Sequence, residues 1–258
     1  MPKKKIKKFK AKKIKRTRRD DIEIDPSKRV PSGIPGFDDL IEGGFEVNSI
    51  NLIAGGAGSG KSIIATQFLY NGAVKYDEPG IYISFEEDKN RFFTHMKQFG
   101  WDLEKLEEEK KFIYVESTPE QVKKILDEGG GTIDNLIDKF KAKRLVIDSI
   151  SAFTLLFDNE LAKREASLAL FKLIRKWRCT AFVIGEFPGT LLDQKEESTA
   201  ALEYEVDSII VLYYGKTGDI RKRAIEVLKM RGTRHARKIF PMKIYNKGIE
   251  VFPKEAVF

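Results

Sequence analysis

The sequence has a single cysteine, Cys179, so no internal disulfide can form and nothing marks it as a secreted disulfide scaffold. Long apolar runs are missing as well. The longest, 209–214 and 152–157, are strand-length and far short of the roughly 20 residues a bilayer-crossing helix needs, so no membrane insertion is expected. The basic start of the chain lacks the apolar segment of a signal peptide, and the expected location is cytoplasmic. Acidic residues are absent from residues 1–19, which carry twelve Lys or Arg. The net charge of +8 is a property of that tail: without its twelve cations, 35 basic residues face 39 acidic ones, and the body is net acidic. Global basicity is therefore no argument for nucleic-acid binding. No internal repeat is present either, which leaves one domain of its kind.

The 258 residues are 41% hydrophobic and 33% charged, enough apolar content for a real core and too much for wholesale disorder. Residues 1–19 are the exception. Ile6, Phe9 and Ile14 cannot build a core among like charges that repel, so a disordered basic tail is expected. Such an arm suits a nucleic acid, a ribosome, an anionic lipid or another acidic partner, and equally a plain solvated tail. Residues 20–29 read as a linker, and residues 30–258 as one ordered domain.

Within that domain, apolar strand patterns at 48–53, 80–85, 112–115, 144–148 and 180–185 alternate with helical patterns at 61–76, 89–99, 118–127, 132–140 and 160–177. The last helix places Ala166, Leu170, Leu173, Ile174 and Trp177 on one face. Beyond residue 207 the rhythm changes. Strand patterns at 207–214, 223–230, 238–245 and 248–252 follow one another across turn signals at 215–219 and 246–248. The expected fold class is α/β: a mostly parallel central sheet with helices on both faces, finished by a C-terminal antiparallel β-meander.

The segment Gly55-Gly56-Ala57-Gly58-Ser59-Gly60-Lys61-Ser62 fits the phosphate-loop pattern G-x-x-x-x-G-K-[ST]. It follows an apolar strand and opens a helix, the context the pattern requires. Glycines let the backbone wrap phosphate oxygens, and successive amides at a helix start supply donors. The expected ATP-binding residues are Gly55, Gly56, Ala57, Gly58, Ser59, Gly60, Lys61, Ser62 and Ile63. Lys61 reaches the β- and γ-phosphates, and Ser62 offers its hydroxyl to Mg²⁺. Asp148 ends an apolar strand about 90 residues later and is the expected second magnesium-side group. Ser149 beside it serves either to position nucleotide or water, or as a turn hydroxyl. Glu86 and Glu87 stand at another strand's carboxyl end, where open α/β sheets bind ligands; either is a candidate base for an attacking water.

Together these segments resemble the KaiC-like branch of the RecA superfamily of ATPases. Ser32-Gly33-Ile34-Pro35-Gly36-Phe37-Asp38-Asp39-Leu40 with Glu42-Gly43-Gly44 is similar to the family's opening motif. The loop at 55–62, Glu86-Glu87, Asp148-Ser149 and Lys229-Met230-Arg231-Gly232-Thr233-Arg234-His235 follow in the family's order. The resemblance implies a RecA-like P-loop NTPase fold, ATP with Mg²⁺, hydrolysis with Lys61, Glu86 and Glu87 as catalytic groups, and a homo-oligomeric, often hexameric, ring with ATP between subunits. It further implies that Lys229, Arg231 and His235 contact a neighbour's ATP in trans. Two alternatives stand beside the ATPase: an ATP-dependent switch or scaffold with little turnover, and a recombinase paralogue binding single-stranded DNA. One phosphate loop implies one such domain, not the tandem pair of the clock proteins.

Overall fold

The computed structural model describes residues 28–127, 129–186 and 204–255; the basic tail and nearly all of the linker lie outside them. Strands β1 (Arg29–Val30) and β2 (Phe45–Glu46) form a small antiparallel pair around a 3-10 turn at Asp38–Leu40. The chain then alternates: β3 (Ile50–Gly55), α1 (Lys61–Lys75), β4 (Gly80–Ser84), α2 (Lys89–Lys97), α3 (Leu103–Glu108), β5 (Phe112–Glu116), α4 (Pro119–Asp127), α5 (Gly131–Phe140), β6 (Arg144–Asp148), α6 (Ile150–Thr154), α7 (Glu160–Trp177) and β7 (Thr180–Glu186). Four consecutive strands close it: β8 (Ser208–Thr217), β9 (Ile220–Met230), β10 (Ile239–Tyr245) and β11 (Gly248–Val251).

One nine-stranded sheet runs in the order β11-β10-β9-β8-β3-β7-β6-β4-β5. From β8 to β5 every pair is parallel, and from β8 to β11 every pair is antiparallel. The expected α/β class with its β-meander edge is what the fold has. Two helices and the short strands β1 and β2 were not foreseen from sequence. Helix α6 arises because Ser149 caps it, its hydroxyl accepting from the Ala152 amide at 3.2 Å, so part of the apolar run at 152–157 is helical. Helix α3 starts the same way, with Asp102 accepting from the Lys105 amide at 3.0 Å.

The sheet is buried on both faces, as a parallel sheet must be. Ile53 of β3 faces one core with Phe68, Tyr82, Phe92 and Phe182, under α1, α2 and α3. Ile50, Leu52 and Ala54 face the other, under α5, α6 and α7. Phe68 stacks on Phe182 with ring centroids 4.0 Å apart. Arg144 opens β6 fully buried, bonded to Glu78 at 2.7 Å and laid over the Phe68 ring, so its charge is paired inside the protein. Among the described residues no helix is long and apolar enough to cross a membrane.

Candidate functional site

Strand register gathers the acidic and glycine residues at one end of the sheet. Gly55 of β3 pairs with Glu186 of β7, Ile184 of β7 with Asp148 of β6, and Asp148 with Ser84 of β4. The carboxyl ends of β3, β4, β6 and β7 thus lie side by side, and Glu86 and Glu87 follow Ser84 there.

The loop between β3 and α1 has a shape its side chains dictate. A Cβ at Gly55 would lie 2.6 Å from the Leu212 carbonyl and 2.7 Å from Ser59 Oγ, so only glycine fits. Gly60 caps α1 at φ 105°, a conformation that turns the chain directly into the helix. Lys61 is buried, and its ammonium donates to the Gly56 carbonyl at 3.0 Å and lies 4.0 Å from Glu186 Oε1. Ser59 Oγ is buried with no hydrogen-bond partner among the described residues.

Ser62 donates to Asp148 Oδ2 at 2.9 Å, linking the loop to the end of β6. Tyr82, from the middle of β4, donates to the same oxygen at 2.5 Å. Burial, then the neighbouring Asp148 charge, holds the Tyr82 phenol far above its ordinary pKa, so it stays a neutral donor. Burial also raises the Asp148 carboxyl, while the Tyr82 and Ser62 donors and the Lys61 charge pull it back.

The two adjacent glutamates point to different neighbours. Glu86 is exposed, and Ser149 donates to its Oε1 at 3.1 Å, next to Asp148. Glu87 instead turns to α2, with His95 Nδ1 at 2.8 Å and Arg91 Nε at 3.8 Å from its Oε1. Ser149 caps α6, the turn-hydroxyl role considered for it, and its hydroxyl also donates to Glu86.

Three groups at this end were missed from sequence. Tyr82 sits within an apolar strand, where only its phenol tip hinted at a polar task. Glu186 ends an apolar strand as Glu86 and Asp148 nearly do, and the same rule would have found it. Arg223 of β9 donates to the Gly58 carbonyl at 3.1 Å and stacks over Tyr214, so the meander braces the loop. No strand pattern could have placed it there.

Lys229, Arg231 and His235 are elsewhere. Met230 pairs with Ser208, and Ser208 with Asn51, so this segment lies at the amino end of β3, at the opposite end of the sheet from Lys61. Lys229 donates to the Val206 carbonyl at 2.8 Å; Arg231 donates to the Tyr204 carbonyl and lies 3.6 Å from Asp207 Oδ1. His235 Nδ1 is 3.1 Å from the Ala236 carbonyl. Arg231 stands just past the end of β9, so it does not share that strand's face with Lys229.

Comparison with known proteins agrees with this arrangement. The family model "ATPase: KaiC" matches residues 30–256. The UPF0273 protein MJ1359 of Methanocaldococcus jannaschii is 34% identical over 89% of this chain and 98% of its own length. The circadian clock oscillator protein KaiC of Synechococcus elongatus is 32% identical over 87% of this chain, which spans 44% of that longer protein. The crystal structure of the KaiC-like protein PH0186 from Pyrococcus horikoshii superposes with a TM-score of 0.78 at 38% identity, covering 88% of this chain and all of that one. A phosphate loop braced by a second strand's acid, in a RecA-like sheet, matched along nearly the whole domain, places this chain in the KaiC family of ATPases.

Proposed function

We propose that this domain binds ATP with Mg²⁺ at the carboxyl end of β3 and hydrolyses it, working as a ring in which each site is completed by the neighbouring subunit. The observation that carries the reading is the Ser62–Asp148 contact of 2.9 Å, which joins loop hydroxyl and strand-end carboxylate where a phosphate-bound cation belongs. The donor set fits a hard divalent ion: a hydroxyl and a carboxylate oxygen side by side, with the unpartnered Ser59 hydroxyl buried within the same loop. Ser62 and Asp148 would hold it, and bound magnesium would neutralise charge on the phosphate oxygens.

The protein's own groups supply the rest. The amides of Gly56 to Ser62 and the start of α1 cradle the phosphates. Lys61 exchanges its Gly56 carbonyl for a phosphate oxygen without leaving its buried position. Glu86, held by Ser149 beside Asp148, orients the attacking water and takes its proton. Glu87, fixed by His95 and Arg91, shapes the turn that presents Glu86. Lys229 and Arg231, with His235, act across the interface, which their distance from their own loop supports; there, cations stabilise charge on the transferring phosphoryl group. The ATPase domain extends over residues 30–258, and residues 1–19 form an appended arm.

The test is calorimetry with ATP and magnesium, followed by steady-state phosphate release. Binding with continuous turnover supports hydrolysis. Tight binding with release limited to a single turnover would make the protein an ATP-dependent switch instead.

A further inference from the structure

At the opposite end of the sheet from the phosphate loop lies a cleft of about 460 Å³, bounded by Lys28, Arg29, Asn48, Glu78, Lys143 and Arg178. It sits at the amino ends of β3, β6 and β7, roughly 20 Å from the loop along a six-residue strand at about 3.3 Å per residue. Its charge is at odds with the rest of the domain. Beyond the tail the chain is net acidic, yet four cations and one carboxylate meet here. The carboxylate is already engaged, since Glu78 is bonded to the buried Arg144 at 2.7 Å. Nearby Asp77 is held by Lys111 at 2.9 Å. Arg29 has a longer contact of 3.7 Å to Glu42. Among the described residues neither Lys28 nor Lys143 has a carboxylate partner, and both are exposed. Like charges such as Lys28 and Lys143, brought together with too few carboxylates beside them, repel, and become favourable when a polyanion fills the space between them.

We propose that this cleft binds the phosphate backbone of a nucleic-acid strand. Lys28 lines the cleft, and the chain leading to it begins with nineteen residues carrying twelve Lys or Arg. That many cations in series match a polymer with one charge per repeat better than a single small anion. Arg29 edges the cleft, held by Thr233 Oγ1 at 2.7 Å and facing Glu42 at 3.7 Å, and Arg178 adds a second guanidinium, a group suited to phosphate oxygens. Among the described residues no aromatic side chain lines the cleft, so bases have nothing to stack on there, and the site reads backbone charge without sequence preference. The chain's own phosphate loop is at the far end of the sheet, whereas the segment proposed to act in trans is close by, Arg29 donating to Thr233 Oγ1 at 2.7 Å.

The experiment is a salt titration, from about 50 to about 200 mM, of fluorescence anisotropy with a labelled deoxythymidine oligonucleotide. It uses the full chain, with a non-hydrolysable ATP analogue filling the phosphate loop. The parent and the Lys28→Glu, Lys143→Glu double variant are compared. The variant is expected to bind about tenfold more weakly at the low-salt end, with its log–log salt slope reduced by about 1.4, two single-strand phosphate contacts at about 0.7 each. Its thermal midpoint and ATP affinity should match the parent, because both side chains are exposed and remote from the loop. Absence of parent binding overturns the proposal. So does a variant indistinguishable from the parent, which would leave the arm acting alone. Displacement by poly-glutamate as effective as by unlabelled oligonucleotide at equal charge also overturns it, and would assign the cleft to an acidic protein.

Discussion

Lys61 is the residue on which nucleotide affinity turns. Among the described residues its buried ammonium has a carbonyl and a distant carboxylate beside it, so it is poised for a stronger anion. Lys61→Ala should weaken ATP binding by about 2 kcal/mol or more, roughly 30-fold, measured by calorimetry. The adjacent glutamates should separate in kinetics. Glu86→Gln is expected to keep ATP affinity while its phosphate-release rate falls by about 10²-fold or more, the scale of a lost general base. Glu87→Gln, whose carboxylate faces His95 and Arg91, should fall by less. Equal losses would remove the distinction drawn from their hydrogen bonds. Sequence named both glutamates as candidates and could go no further, because two neighbours in a turn share a position but not a direction.

The last strand of the C-terminal meander is tied to α1 by a side chain that bonds its backbone directly. Gln67 of α1 is buried, and its amide donates to the Ile249 carbonyl at 3.0 Å and accepts from the Ile249 amide at 2.6 Å. Gln67→Ala would strand both backbone groups and should lower stability by about 2–4 kcal/mol, read from the urea midpoint. If the midpoint is unchanged, the hairpin of β10 and β11 is not held there. The long helix was legible because its apolar period is long: α7 spans the residues its pattern indicated, while β6 was legible as an unbroken apolar run between polar ends. Helices α3 and α6 were not, because five or six residues carry too little period; their signal was the capping side chain, Asp102 or Ser149, ahead of the run. The two-residue strands β1 and β2 have no period at all and exist only because each pairs with the other.

For the whole molecule, the proposed ring makes a prediction that no single chain can satisfy. A Lys61→Ala subunit lacks its own phosphate contact but keeps Lys229 and Arg231; a subunit with Lys229→Ala and Arg231→Ala has the reverse. Each alone should be nearly inactive. Mixed in equal amounts and allowed to exchange, they should recover activity at about a quarter of the interfaces, since a head-to-tail contact joins one subunit's loop to the next subunit's trans residues. No recovery, with mixed oligomers confirmed by light scattering and mass spectrometry, would return Lys229 and Arg231 to the structural role their bonds to Val206 and Tyr204 already give them.

The sequence by itself determined the fold class, the phosphate loop and the acids at the strand ends, because each is written locally, as a period of two or 3.6 residues or as a fixed spacing around glycines. It also located the family, since five such segments occur in order. Tertiary structure alone decided which strands are neighbours, and with that everything depending on register. It brought Tyr82 and Ser62 to one oxygen of Asp148, set Arg223 against the loop, and gathered Lys28, Lys143 and Arg178 around one cleft. Those meetings join residues from 20 to more than 160 positions apart, and only the pairing of whole strands, driven by burial of both sheet faces, fixes them.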